Sequence, residues 1–203
     1  NSVWPFLVVA AFMGICNAAL VQTSSFYFQD VITPNASNPI TFASIGFMLM
    51  AFGSLIGQLL VADKLRVSPG SLVRYGTLIS GISLLCISQS YSLTSIYISL
   101  FFIGLGQGTQ STGLAASVSL SVGQEDQGKA NGFMGMIMPV GHVISPLIAM
   151  PLYMVSPEYP YLLSGFAMLL VLVFIQINTR HKWIRKKGYR QVSIDHNQGV
   201  EEA

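Results

Sequence analysis

Charge is the scarcest property of this sequence. Only 9% of its 203 residues are charged, whereas soluble domains carry about 25%, and 52% are hydrophobic. The eight acidic residues all fall outside the long apolar runs, and the net charge of +2 gives no indication of a nucleic-acid partner. This composition is typical of an integral membrane protein with many membrane-spanning segments.

Cysteine is also rare, and patterns of catalytic residues are missing. Cys16 and Cys86 are the only cysteines, and because both lie in apolar runs we expect packing residues rather than a disulfide or a metal pair. The sequence contains no paired acids, no Ser/His/Asp set, no metal-ligand spacing and no phosphate loop. It therefore indicates neither an enzyme nor a cofactor. The chain begins at Asn1 without a basic leader, which indicates a piece of a longer polypeptide.

Apolar runs long enough to cross a membrane, about 20 residues each, alternate with polar or charged clusters. We expect an all-α membrane domain over residues 1–178, followed by a basic, disordered cytoplasmic tail over residues 179–203. The six predicted transmembrane helices lie at about 3–28, 40–62, 69–88, 94–120, 130–154 and 161–177.

The cations predict the orientation of these helices. All ten Lys and Arg residues follow the second, fourth or sixth helix, and cations near span ends are retained on the cytoplasmic side. We therefore expect both termini to be cytoplasmic, in a bacterial inner membrane or a plasma membrane. Asp63, Lys64 and Arg66 form either an ion-pair latch between helix ends or a solvated turn. The basic segment Arg180–Arg190 either binds anionic membrane lipid or only anchors the orientation.

The sequence repeats itself at a shift of 88 residues. Met50–Leu60 aligns with Met138–Ile148 without a gap, and Gln22 aligns with Gln110. Three predicted helices separate the copies, so one copy is inverted relative to the other. Inverted repeats of three helices build several transporter folds that bind substrate near the membrane midplane. The alternative is a chance alignment of glycine-rich apolar segments.

Neutral polar side chains concentrate in the first and fourth predicted helices, the pair that the repeat equates. Such residues are costly in a membrane unless they pair or face a wet cavity. Asn17, Gln22, Gln107 and Gln110 are therefore predicted to form a hydrogen-bonding wall that binds a small-molecule substrate. Hydrogen bonding between helices explains each residue equally well.

The fifth predicted helix carries unusual residues. Pro139, Gly141 and Pro146 predict a bend that serves gating, because each proline leaves a backbone carbonyl that neighbours or water must satisfy. His142 is a candidate proton relay, since its side chain titrates near neutral pH. The alternative is a structural histidine that donates to a carbonyl freed by Pro146.

Three motifs resemble those of the major facilitator superfamily. Gly132, Gly141 and Ser145-Pro146 are similar to its antiporter signature, although Ser145 replaces a glycine. Val61-Ala62-Asp63-Lys64 resembles a degenerate copy of its loop motif, and Gly104–Gly108 matches its fourth-helix pattern without the arginine. The chain thus resembles the carboxyl-terminal half of such a transporter, helices seven to twelve, in the multidrug/tetracycline-type efflux branch.

This resemblance implies proton-coupled efflux of a small molecule by alternating access, in partnership with a missing amino-terminal six-helix half. A second possibility is a membrane subunit or scaffold that transports nothing and whose polar residues only join helices. A channel would be expected to show a ring of charges or a carbonyl filter, and neither is apparent in the sequence.

Overall fold

Long helices make up almost the whole of the computed structural model, which describes residues 4–61 and 67–180. A π-helical turn extends each of the first two helices, at Phe28–Ile32 and Gly57–Val61, and a 3-10 turn at Gln124–Asp126 precedes the fifth. The six long helices of these ranges are α1 (Trp4–Tyr27), α2 (Pro39–Ile56), α3 (Pro69–Ser88), α4 (Leu93–Ser121), α5 (Gln127–Val155) and α6 (Tyr159–Arg180).

Five of these helices are long and apolar enough to cross a membrane, and α4 is the exception. It has 29 residues, but its middle contains Gln107, Thr109, Gln110 and several glycines, which lower its hydropathy. The same helix has 13 buried residues along its length. Its polar side chains therefore face other helices to a large extent.

Two helix starts follow from proline chemistry. Pro39 and Pro69 occupy the first turns of α2 and α3, where a residue without an amide hydrogen costs no helical hydrogen bond. At the other end of the chain, α6 continues to Arg180, so it includes the first two residues of the predicted tail.

Several hydroxyl side chains inside the helices are satisfied by their own backbone. Thr23 donates to the carbonyl of Ala19 at 2.8 Å and Thr77 to that of Val73 at 2.7 Å, one turn earlier in each case. Ser117 does the same with Gly113 at 2.7 Å. This pattern lets polar residues lie in an apolar environment without a partner on another helix.

Glycines allow α4 to contact its neighbours through the backbone. A Cβ atom at Gly104 would overlap the backbone of Met50 in α2, and one at Gly108 would overlap that of Ser54. On its other side, Gly106 lies against Gly76 of α3. Close backbone contact of this kind stabilises helix pairs in membranes, where hydrophobicity does not drive association.

The remaining helices are arranged around α1, which packs against α5 and α6. A Cβ at Gly141 of α5 would overlap the backbone of Gly14 in α1. Among the five helices apolar enough to cross a membrane, α2 and α5 are the least enclosed: 22% and 18% of an apolar 18-residue stretch of each is buried, compared with 56% for α3. Their outer faces are therefore available to lipid or to another part of a larger protein.

Candidate functional site

Two of the four predicted site amides meet directly between α1 and α4. The side-chain nitrogen of Gln107 donates to Oδ1 of Asn17 at 2.8 Å, and both side chains are partly buried. The bond joins two helices that sequence reasoning had equated through the repeat. A partly accessible amide pair can exchange this mutual bond for bonds to a polar ligand.

Gln110 lies on another side of α4, facing α3. Only 2% of it is exposed, and its Oε1 accepts a hydrogen bond from the hydroxyl of Thr77 at 3.2 Å. Thr77 itself has 0% exposure. The structure therefore places Gln110 inside the α3–α4 contact, behind the wall that contains Asn17 and Gln107.

Gln22 lies at the contact between α1 and α5. Its Nε2 donates to the backbone carbonyl of His142 at 3.3 Å. Its Oε1 is buried and has no hydrogen-bond partner among the described residues. Gln22 thus lies near the predicted bend rather than beside Gln107.

The predicted bend residues lie in α5 together with a third proline, Pro151. Gly141 is buried and marks the closest approach of α5 to α1, at Gly14. Ser145, one turn later, has 0% exposure, and within residues 4–61 and 67–180 its hydroxyl has no partner. The part of α5 nearest Gly14 therefore carries small residues.

His142 points away from this contact. Its side chain is exposed, whereas its neighbours Gly141 and Ser145 are buried. The carbonyl that Pro146 frees is that of His142 itself, and Gln22 supplies the donor. The imidazole therefore does not take part in that bond.

One further link between α1 and α5 was not anticipated from the sequence. The hydroxyl of Tyr153 donates to Oδ2 of Asp30 at 2.9 Å, and the ring of Tyr153 contacts Phe26 with centroids 6.2 Å apart. The sequence showed a tyrosine near the end of one helix and an acidic residue near the end of another, which was the only indication of this bond. Their pairing depends on helix packing that the sequence does not reveal.

Thr23 and Tyr161 form a second unanticipated link, between α1 and α6. Their hydroxyls are 3.1 Å apart, and 1% of Tyr161 is exposed. The rings of Tyr161 and Tyr27 pack edge to face at 5.0 Å, and the Tyr27 hydroxyl bonds to the carbonyl of Ser90 at 3.1 Å. These bonds hold α1, α3 and α6 together at one end.

Other predicted features fall beyond these ranges. Asp63, Lys64 and Arg66, the proposed latch, and the tail residues 181–203 lie outside the described residues. Cys16 and Cys86 are both free thiols. Within the described part of the chain, no group of three His, Cys, Asp or Glu side chains is arranged to hold a metal ion.

Comparison with known proteins places this arrangement in a family. The model of the Major Facilitator Superfamily matches residues 37–193, more than half of the chain. The chain therefore belongs to the Major Facilitator Superfamily and is an integral membrane protein of a transporter family rather than an enzyme. No curated protein matches its sequence.

Solved transporter structures share the fold. A POT family transporter in complex with a thioalcohol-conjugated peptide superposes with a TM-score of 0.75 at 18% identity, covering 98% of this chain and 44% of its own. A POT family transporter in complex with 5-aminolevulinic acid gives 0.74 at 18% identity, with 98% and 44% covered. The transporter PepTSo gives 0.77 at 16% identity, with 90% and 38% covered. This chain thus spans less than half the length of those proteins.

Proposed function

We propose that this chain is the carboxyl-terminal six-helix half of a transporter that moves a small polar molecule by alternating access. The observation that carries the proposal is the partly buried bond between Asn17 and Gln107, which joins α1 to α4. An amide pair at this position offers two NH2 groups and two carbonyl oxygens to a ligand once its own bond opens. Gln110 lies behind this pair, in the contact between α3 and α4, and Gln22 lies at the contact between α1 and α5.

Helix positions support a repeat of three helices. The helix α5 begins 88 residues after α2, and α6 begins 90 residues after α3, close to the shift of 88 seen in the sequence. The glycine contacts follow the same shift. Gly53 lies against the backbone of Phe101, and Gly141 lies against that of Gly14. On this proposal α4 is the sixth membrane span.

The share of the known transporters' length that the chain covers supports the proposal that it is one half of such a protein. It matches 44% of the length of two POT family structures, so an amino-terminal half of six helices would complete the protein. The exposed faces of α2 and α5 are the surfaces available for that half, and both termini are proposed to be cytoplasmic because cations follow the even-numbered helices.

The chemistry of the site favours an uncharged hydrogen-bonding group on the substrate. Asn17, Gln22 and Gln107 are neutral, and the solved relatives are described with a peptide conjugate and with 5-aminolevulinic acid. We propose export coupled to protons, on the basis of the antiporter-like segment around Gly141 and Pro146. The exposed imidazole of His142 is the candidate proton carrier of this half.

Transport by the full-length protein in proteoliposomes tests the proposal. Asn17→Ala and Gln107→Ala are expected to reduce uptake of a small peptide or amino-acid derivative at least about tenfold, which corresponds to about 1.4 kcal/mol. Gln58→Ala is the matched control, because Gln58 is exposed on the π-helical turn that extends α2. Among the described residues its side chain bonds to Ser54, one turn earlier, at 3.1 Å.

The same vesicles test coupling and direction. An imposed proton gradient is expected to accelerate transport from the cytoplasmic side in the wild type but not in His142→Ala. Normal transport by Asn17→Ala and Gln107→Ala, at normal expression, would rule out the proposed site. No transport of any of these compounds by the wild-type protein would favour the membrane subunit or scaffold.

A further inference from the structure

Pro146 leaves one backbone carbonyl of α5 without its usual hydrogen-bond donor. In an α-helix the amide hydrogen of residue i bonds to the carbonyl of residue i−4, and proline has no such hydrogen. Pro146 lies inside α5, so the carbonyl that loses its donor is that of His142. In a membrane an unpaired carbonyl is costly, since no water is available in the hydrocarbon region.

Gln22 supplies the missing donor from the neighbouring helix. Its Nε2 lies 3.3 Å from the carbonyl oxygen of His142. A carbonyl can only accept, so the amide nitrogen must face it, and this requirement fixes the orientation of the side chain. The Oε1 atom then points into the buried contact, where no described residue bonds to it. The Nε2 atom of Gln22 thus satisfies the carbonyl of His142, while its Oε1 atom receives no hydrogen bond from a described residue.

We infer that Gln22 is a positioning residue that replaces the amide hydrogen of Pro146 and ties the proline bend of α5 to α1. Its role is to hold the segment that carries His142 against Gly14, where the two helices come closest. The consequence for transport rests on the proposed function. The tie itself depends only on the contact between the two helices.

The other prolines of α5 show that the tie is selective. Pro139 and Pro151 free the carbonyls of Gly135 and Leu147 in the same way. In the ranges that the structure describes, no side chain donates to either carbonyl. Among the described residues, the carbonyl of His142 is the one of these three that accepts a bond from a side chain of another helix.

A double-mutant cycle on the full-length protein tests this inference. In Pro146→Ala the alanine restores the amide hydrogen, so the carbonyl of His142 no longer needs Gln22. Gln22→Leu is expected to lower the Tm by about 2 °C in the wild-type background and to lower it much less in the Pro146→Ala background. Pro146→Val serves the same purpose if the alanine variant is not produced in folded form.

The control is Gln107→Leu, which removes a different bond of α1 and is expected to lower the Tm equally in both backgrounds. Equal losses for Gln22→Leu in both backgrounds would overturn the inference. Because the measurement does not use transport, a failure of the proposed function leaves this result standing. Conversely, confirmed transport would not rescue the inference if the two losses were equal.

Discussion

The contact between α2 and α4 and the contact between α1 and α5 are built differently, although the proposed repeat equates them. At the first, glycines on both helices bring the backbones together, as Gly104 and Gly108 do against α2. At the second, Gly141 provides one close approach, and the rest is held by side-chain bonds from Gln22 and Tyr153. A glycine contact cannot be adjusted without moving a backbone, whereas a side-chain bond can break and form again.

This difference indicates which pair of helices can change its geometry. The α2–α4 contact is continuous packing that tolerates no added atom, so we expect it to move as one body. The α1–α5 contact includes a helix that contains three prolines, and separate polar side-chain bonds join the two helices. We therefore expect movement within this half to occur at α1 and α5, beside His142.

The largest expected effect concerns the α2–α4 contact. Gly104→Leu places a side chain where a Cβ atom alone would overlap the backbone of Met50. Overpacking typically costs 1–3 kcal/mol, and because backbone atoms would have to move we expect about 3 kcal/mol or more. The measurement is the yield of folded, monodisperse protein and its Tm after extraction in detergent.

Gly135→Leu on α5 is the matched control, since a Cβ at Gly135 has nothing within 4 Å. It is expected to leave both yield and Tm close to those of the wild type. Comparable yields of Gly104→Leu and the wild type would show that α2 and α4 can separate, and the contrast between the two contacts would then be wrong.

A smaller effect is expected from removing the tyrosine hydroxyl that bonds across each of the two contacts. Tyr153→Phe removes a hydroxyl that bonds to the carboxylate of Asp30 at 2.9 Å, and Tyr97→Phe removes one that bonds to the carbonyl of Phe42 at 3.1 Å. Bonds to an ionised group are about twice as strong as neutral ones. We expect a loss of about 1 kcal/mol for Tyr153→Phe and about half of that for Tyr97→Phe.

Chemical denaturation of the two variants in the same detergent measures this difference. A larger loss for Tyr97→Phe than for Tyr153→Phe would mean that polar bonds matter more at the glycine-packed contact. The α1–α5 contact would then no longer be distinguished by its side-chain links.

Fold class was accessible from the sequence because hydropathy and helix length are local properties. Apolar runs and polar breaks predict helices in a membrane. In its described part the structure consists of helices and the short segments that join them, and the chain belongs to the Major Facilitator Superfamily. The exception is α4, whose middle is too polar to meet the length and hydropathy criterion that the other five helices meet. Its polar residues face neighbouring helices, and a hydropathy average takes no account of whether a side chain contacts protein or lipid.

The details of the site were less accessible because they depend on how helices are rotated. Sequence reasoning foresaw that a neighbour must satisfy the carbonyl freed by Pro146, but Gln22 lies 120 positions away from His142. Gln107 and Gln110 are three residues apart, yet one contacts α1 and the other α3. A side chain on an enclosed helix changes partner with a small rotation, and no spacing rule predicts which helix it meets.

The smallest expected effect separates the prolines of α5. Pro139→Ala restores the hydrogen bond to Gly135, whose carbonyl receives no side-chain donor among the described residues. It should therefore stabilise the protein by about 0.5 kcal/mol, whereas Pro146→Ala should stabilise it less, because Gln22 already bonds to the carbonyl of His142. Differential scanning fluorimetry of both variants, with Gly132→Ala as a control on an open face of the same helix, measures the difference. Equal stabilisation by the two substitutions would mean that the bond from Gln22 adds nothing at Pro146, and one of the two polar links of the α1–α5 contact discussed above would then carry no weight.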